Sequence, residues 1–292
     1  MRILPRIFAA LVLTAPLYAQ QTADPDFDAR VGKPAFVHNH PRVLFDEGHH
    51  NVHKSNLTYK AFADLLRNDG CLVDVNSGSF TAETLRGYSV LVIVGALGAP
   101  LEDEAHAQNP AFTKDEVDVV RNWVERGGSL LLLTDHEPVA SSEEMLVRAF
   151  GVTPMKDVVM DDDHHFENFY SSNIVASADN GLLVRHAITR NVNRVVVFGG
   201  QSLLFPKTAT VFIRLGQHAH GSNNGTLGNG QAGALQFGRG RIVITGDMGM
   251  LSAQLFTEGG VTNRWGMNVP GIDNRQLVLN IARWLARAVN SR

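Results

Sequence analysis

Short apolar runs alternate with segments of helical spacing along this chain, and that alternation constrains its fold more than any other feature. Residues 42–46 (RVLFD), 71–75 (CLVDV), 89–96 (SVLVIVGA) and 129–136 (SLLLLTDH) crowd apolar side chains together without helical periodicity, as strands do when both faces are buried. Between the first two, Ser55 is a suitable N-cap, Tyr59, Phe62, Ala63 and Leu66 fall on one helical face, and Gly70 stands where a helix stops. Residues 81–88 (TAETLRGY) read as a short helix or turn. Thr113 and Glu116 form a capping-box pattern ahead of the apolar stripe Val117, Val120 and Val124, and Gly127-Gly128 ends that helix. Strands alternating with helices of this length predict an α/β fold with a mainly parallel sheet and helices on both faces.

Further runs at 194–200 (RVVVFGG), 209–215 (ATVFIRL), 233–237 (GALQF) and 241–247 (RIVITGD) extend the pattern, the last two joined through Gly238-Arg239-Gly240 as an antiparallel hairpin. Asp273 can cap a closing helix with Leu277, Ile281, Trp284, Leu285 and Ala288 on its apolar face. Residues 151–190 lose periodicity and gather charge, so they are expected as an insertion beside the sheet, and residues 216–233 read as a flexible Gly/Asn loop. Residues 42–290 thus form one domain. A leader, 20–41, precedes it.

Residues 1–19 have the form of a signal peptide: Arg2 and Arg6, a short apolar run, then Leu17-Tyr18-Ala19 before Gln20. The run is shorter than the roughly 20 residues that span a bilayer, so a periplasmic or secreted product without stable membrane insertion is expected. The net charge of −3 gives no electrostatic reason to expect nucleic acid as a partner. Cys71 is the only cysteine, which excludes an intramolecular disulfide.

The chemistry-bearing residues follow the strands. In open parallel sheets, ligands bind outside the carboxyl ends of the strands, where loops and helix N-termini converge. Asp46, His49, His50 and His53 follow the first strand, Gly95 the third, Asp135, His136 and Glu137 the fourth, and Asp247 the last, so all are expected to border one pocket. One reading makes Asp46, His49, His53 and His136 ligands of a divalent metal such as zinc, with Asp135 or Glu137 as general base. The other makes Asp135 the group that orients His136 as a base, or simply a cap. His38, His40, His218 and His220 read as surface or loop residues, and 161–165 (DDDHH) as a solvated loop.

With LFDEGHHN, GGSLLLLTDHEP, HAITRN, RIVITGDMGML and DNRQLVLNIARWL in this order, the chain resembles the class I glutamine amidotransferase-like superfamily. More narrowly, it is similar to a poorly characterised exported branch that shares features with gliding-motility and trehalose-utilisation-type domains. The resemblance implies a flavodoxin-like sheet and, in true amidotransferases, a nucleophilic cysteine at a sharp turn after a central strand. Thr134-Asp135-His136 occupies that turn here, so glutaminase chemistry is not expected. Two functions follow: a metal-assisted hydrolase with a polar His/Asp pocket, or a non-catalytic module that binds a small polar ligand, a sugar or a protein.

Overall fold

The computed structural model describes residues 20–166, 170–223, 225–258 and 260–289; the expected signal peptide lies outside them. Its centre is a large mixed sheet of nine strands. Five are mutually parallel and lie side by side in the order Leu72–Asn76, Arg42–Asp46, Val90–Val94, Ser129–Leu133 and Gly240–Thr245. Gly230–Phe237 then pairs antiparallel with Gly240–Thr245, with Phe237 opposite Gly240, which is the expected hairpin. Gly238 has a φ of +56°, and a Cβ there would approach the Glu125 carbonyl oxygen to 2.5 Å, so only glycine fits the turn. Beyond it, Leu203–Leu204 and Thr210–Arg214 both pair with Gly230–Phe237, and Thr153–Pro154 pairs with Leu203–Leu204.

The alternation of side chains along the parallel strands sends two apolar sets to opposite faces. Val43, Phe45, Val92, Val94 and Leu131 face the helices Lys60–Asn68 and Asn274–Leu285. Leu44, Leu91, Ile93, Leu130 and Leu132 face Lys114–Glu125 and Glu144–Ala149. Helices therefore cover both faces, as the unbroken apolar runs require. Among the described residues no helix is long and apolar enough to cross a membrane.

Several local expectations are corrected. The Ser55 hydroxyl and amide both bond the Glu47 carboxylate, at 2.7 and 2.8 Å, so Ser55 anchors the preceding loop and the helix starts later, after Tyr59. Asp273 precedes its helix but accepts Asn193 and Arg194 N–H groups from another segment. The strand after Cys71 lies at the sheet edge, leaving Leu72 51% and Val75 47% exposed, although Cys71 itself is buried. Arg194–Phe198 stays outside the main sheet and pairs antiparallel with Asn173–Ser177. Residues 151–190 thus contribute Thr153–Pro154 to the main sheet, Asn173–Ser177 to this side pair and Val159–Met160 to a third pairing, with His220–Gly221 from the segment expected as a flexible loop. Gln20–Ala23, expected as leader, is an outer strand of a separate sheet with Ala253–Glu258 and Val261–Gly266.

Candidate functional site

Register explains how the central acidic pair forms. Leu133 lies opposite Thr245 in neighbouring parallel strands, so the chain positions two residues further on, Asp135 and Asp247, emerge together at the carboxyl edge. Asp135 accepts the His136 amide at 2.8 Å and, through its other oxygen, the Met248 amide at 3.0 Å. Asp247 is fully buried and accepts the amides of Phe198, Gly249 and Met250 at 2.7, 2.6 and 3.0 Å. Tyr59 closes the underside, its hydroxyl donating to the Met248 carbonyl.

Two buried carboxyls this close compete for charge. Burial pushes Asp135 up to about 6, against the opposing pull of His136 and two N–H donors. Burial, then the neighbouring Asp135, likewise raises Asp247 above the ordinary carboxylate range, against its three N–H donors. A further buried acid, Glu143, is raised by the same loss of hydration; one oxygen accepts the Ala96 amide at 2.7 Å.

Above Asp135 lies a cavity of about 370 Å³ lined by His53, His136, Glu137, Gln254 and Trp265, among others. The His136 ring is half exposed; its Nδ1 meets the Glu137 carbonyl oxygen at 2.9 Å and its Nε2 lies 3.5 Å from Asp135 Oδ1. If Nδ1 carries the proton and donates to that carbonyl, Nε2 is the basic nitrogen beside Asp135. His53 is buried against Tyr59, with Nδ1 2.8 Å from the Thr58 hydroxyl, and burial lowers it to about 4, so it is neutral at neutral pH. Trp265 packs against Phe198 at a tilt of 37°, with ring centres 4.8 Å apart, and forms an apolar wall. The Glu137 carboxylate accepts the Ser141 amide and hydroxyl.

The single pocket expected from the sequence separates into two places. Asp46 and His49 form a closed network behind the strand ends. His49 Nδ1 lies 2.9 Å from Asp46 and its Nε2 3.0 Å from Glu116, with Phe80 and Phe112 against the ring. Burial opposes protonation of His49, but the carboxylates of Asp46 and Glu116 outweigh it and raise its proton affinity. Both ring nitrogens are therefore engaged by protein, and Asp46 is further tied to Asn51 and Asn76. Among the described residues no group of three His, Cys, Asp or Glu side chains is arranged to hold a metal ion. His50 is exposed at a φ of +46°. Gly95, at a φ of +59°, lies beneath the cavity, where a Cβ would meet the Met248 sulfur at 2.5 Å.

Sequence reasoning missed Glu116, Glu143, Gln201, Gln254 and Trp265. Glu116 had a signal, its place in the capping box, but nothing local tied it to His49. Gln201 donates to the Thr134 hydroxyl at 3.1 Å and the Asp135 carbonyl at 2.6 Å, a contact across 66 residues of chain.

No family model and no curated protein matches the sequence. Among solved structures the fold is similar to the mmIFT52 N-terminal domain, at 18% identity and a TM-score of 0.63, over 84% of this chain and 97% of that one. It is also similar to a cytoplasmic protein from Salmonella typhimurium, at 13% identity and a TM-score of 0.50, over 84% and 98%. A structure titled as a putative ThuA-like protein from Bacteroides uniformis matches at 14% identity and a TM-score of 0.45, over 87% and 93%. Identities this low establish the fold alone.

Proposed function

We propose that the chain binds a small polar ligand in the cavity above Asp135, and that Asp135 and His136 can exchange a proton with it. The observation that carries this reading is a buried carboxyl, pushed up to about 6 by that burial, beside a half-exposed imidazole in a cavity of about 370 Å³ with an aromatic wall. Convergent polar groups in a concave, partly apolar site are the usual form of a ligand pocket, and perturbed acids cluster at such sites. Strand order supports the location. The five parallel strands, taken in chain order, lie as second, first, third, fourth and fifth, the flavodoxin-like arrangement, whose ligands sit at the carboxyl edge.

The binding reading is favoured over a metal-assisted hydrolase by the donor geometry. Of the four expected ligands, Asp46 and His49 are committed to Asn51, Asn76 and Glu116, which leaves His53 and His136. Cys71 offers no nucleophile, because it is buried and burial pushes its thiol up to about 12. An amidotransferase-like ancestry and an exported, periplasmic or secreted location remain compatible with this reading.

Titration calorimetry with a panel of small neutral, anionic and cationic ligands tests it. Binding that disappears in His136→Ala while the melting temperature is kept is the expected outcome. Binding unchanged by both His136→Ala and Trp265→Ala would place the ligand elsewhere and sink the proposal.

A further inference from the structure

The roof of the cavity specifies more than its floor does. Ala253–Glu258 and Val261–Gly266 pair with Gln254 opposite Trp265, and Gln20–Ala23 adds Ala23 opposite Gln254. Directly paired residues point to the same face of a sheet, and Gln254 and Trp265 both line the cavity, as does Gln21. Gln254 is 1% exposed, and its Oε1 meets no hydrogen-bond donor among the described residues. A buried acceptor without a donor is costly, and such atoms are rare in native structures. The indole is fixed beside it: Phe198 and Phe256 pack against Trp265 at tilts of 37° and 32°, with ring centres 4.8 and 5.1 Å away, and a Cβ on Gly249 would come within 2.4 Å of the indole nitrogen.

The charge of the wall narrows the class of ligand. Among the described residues no lysine or arginine lines the cavity, whereas Asp135 and Glu137 do. An anionic ligand would therefore meet carboxylates with no compensating cation. The Glu137 carboxylate is already engaged by Ser141, and His53 is buried and neutral, so Gln254 Oε1 is the acceptor left open to a ligand beside an aromatic face. An uncharged ring with hydroxyls on its rim and C–H groups on its face satisfies each of these features at once. The hydroxyls supply donors, and the C–H face covers the indole.

Building on the reading of this cavity as a ligand site, we infer that it takes an uncharged polyhydroxylated ring, a monosaccharide or cyclitol, which donates a hydroxyl hydrogen bond to Gln254 Oε1 while packing against Trp265. Gln254 is then a specificity residue, and the roof sheet is the element that selects the ligand.

The test uses the full chain, with glucose, galactose, mannose and myo-inositol as neutral probes, glucose 6-phosphate and gluconate as anions, and glucosamine and choline as cations. Binding is read by calorimetry and by tryptophan fluorescence. At least one neutral probe is expected to bind in preference to its charged counterparts. Gln254→Met, close in shape but lacking the acceptor, should weaken that binding by about tenfold, the scale of one hydrogen bond, with no loss of melting temperature. Trp265→Phe should keep part of the affinity, and Trp265→Ala should lose it. If charged probes bind and neutral ones do not, or if Gln254→Met binds a neutral probe as the parent does, this inference is overturned and the ligand site stands. If no probe of any class binds, the reading of the cavity as a ligand site falls, and this inference with it.

Discussion

Burial holds a proton on Asp135 that an exposed aspartate would have released. Its proton affinity rises from an ordinary 3.8 to about 6, so folding favours the protonated form. A raised carboxyl contributes its stabilisation in full below about 4 and loses it as pH rises through about 6, an effect of at most about 3 kcal/mol. We therefore predict that the stability of Asp135→Asn relative to the parent improves as pH is raised from about 4 to 7 and then levels off. Urea unfolding across that range checks it, and a flat difference curve would mean that Asp135 titrates normally. Glu143 follows the same physics with a different outcome. It is fully buried, and burial raises its proton affinity well above the usual range against the pull of the Ala96 amide and the Thr134 hydroxyl, so folding favours the neutral acid. Glu143→Gln keeps that shape without the ionisation, so its stability at pH 7 should equal or exceed the parent's. Glu143→Ala should lose roughly 2–3 kcal/mol through the cavity it leaves. A Gln variant as unstable as the Ala variant would show that the carboxylate itself is needed.

At the scale of elements, Glu116 joins three segments that the sequence presents as separate. One oxygen accepts the Thr113 amide and hydroxyl, completing the capping box, while the other meets the Phe80 amide and His49 Nε2, each at 3.0 Å. Burial alone would raise its proton affinity, but His49, Thr113 and Phe80 together lower it to about 2. A depressed carboxyl stabilises above its ordinary value of 4.5 and loses that contribution as pH falls toward about 2. His49 works in the other direction: with its proton affinity raised, its contribution is complete below 6.5 and is lost as pH rises through its folded value. Glu116→Ala should therefore cost roughly 3 kcal/mol, from the lost cap and a half-paired buried imidazole, and Glu116→Gln should flatten the acid limb of the parent's stability profile. A cost within about 0.5 kcal/mol, the level of an ordinary surface change, would mean that the network contributes little. Thr-x-x-Glu was legible because capping is local. The role of Ser55 was not, because its partner, Glu47, lies eight residues back in a loop whose path the helix pattern does not specify.

For the whole molecule, the parallel core was legible because four of its five strands bury both faces and so write their burial into their composition, the edge strand Leu72–Asn76 being the exception. The pairing of Asp135 with Asp247 followed from the same logic, since a common register carries both carboxyls past the strand ends together. What stayed hidden was the distribution of the remaining candidates. Asp46 and His49 leave the same edge but turn behind it, toward Phe80 and Phe112, a choice made by side-chain packing from distant segments. The roof was equally hidden, because Gln20–Ala23 pairs with strand residues more than 200 positions later, and such closure leaves no local pattern. That placement carries a prediction of its own. The core strands bury their apolar faces against helices and do not depend on the first strand, whereas Ala253–Glu258 would lose one of its two neighbours without it. A chain that begins at Asp24 should still fold, and amide exchange in Ala253–Glu258 should accelerate by about tenfold or more while Val90–Val94 and Ser129–Leu133 keep their protection. Loss of protection throughout the central sheet would instead show that the amino-terminal strand is integral to the cooperative unit, and that the roof and the parallel core fold as one.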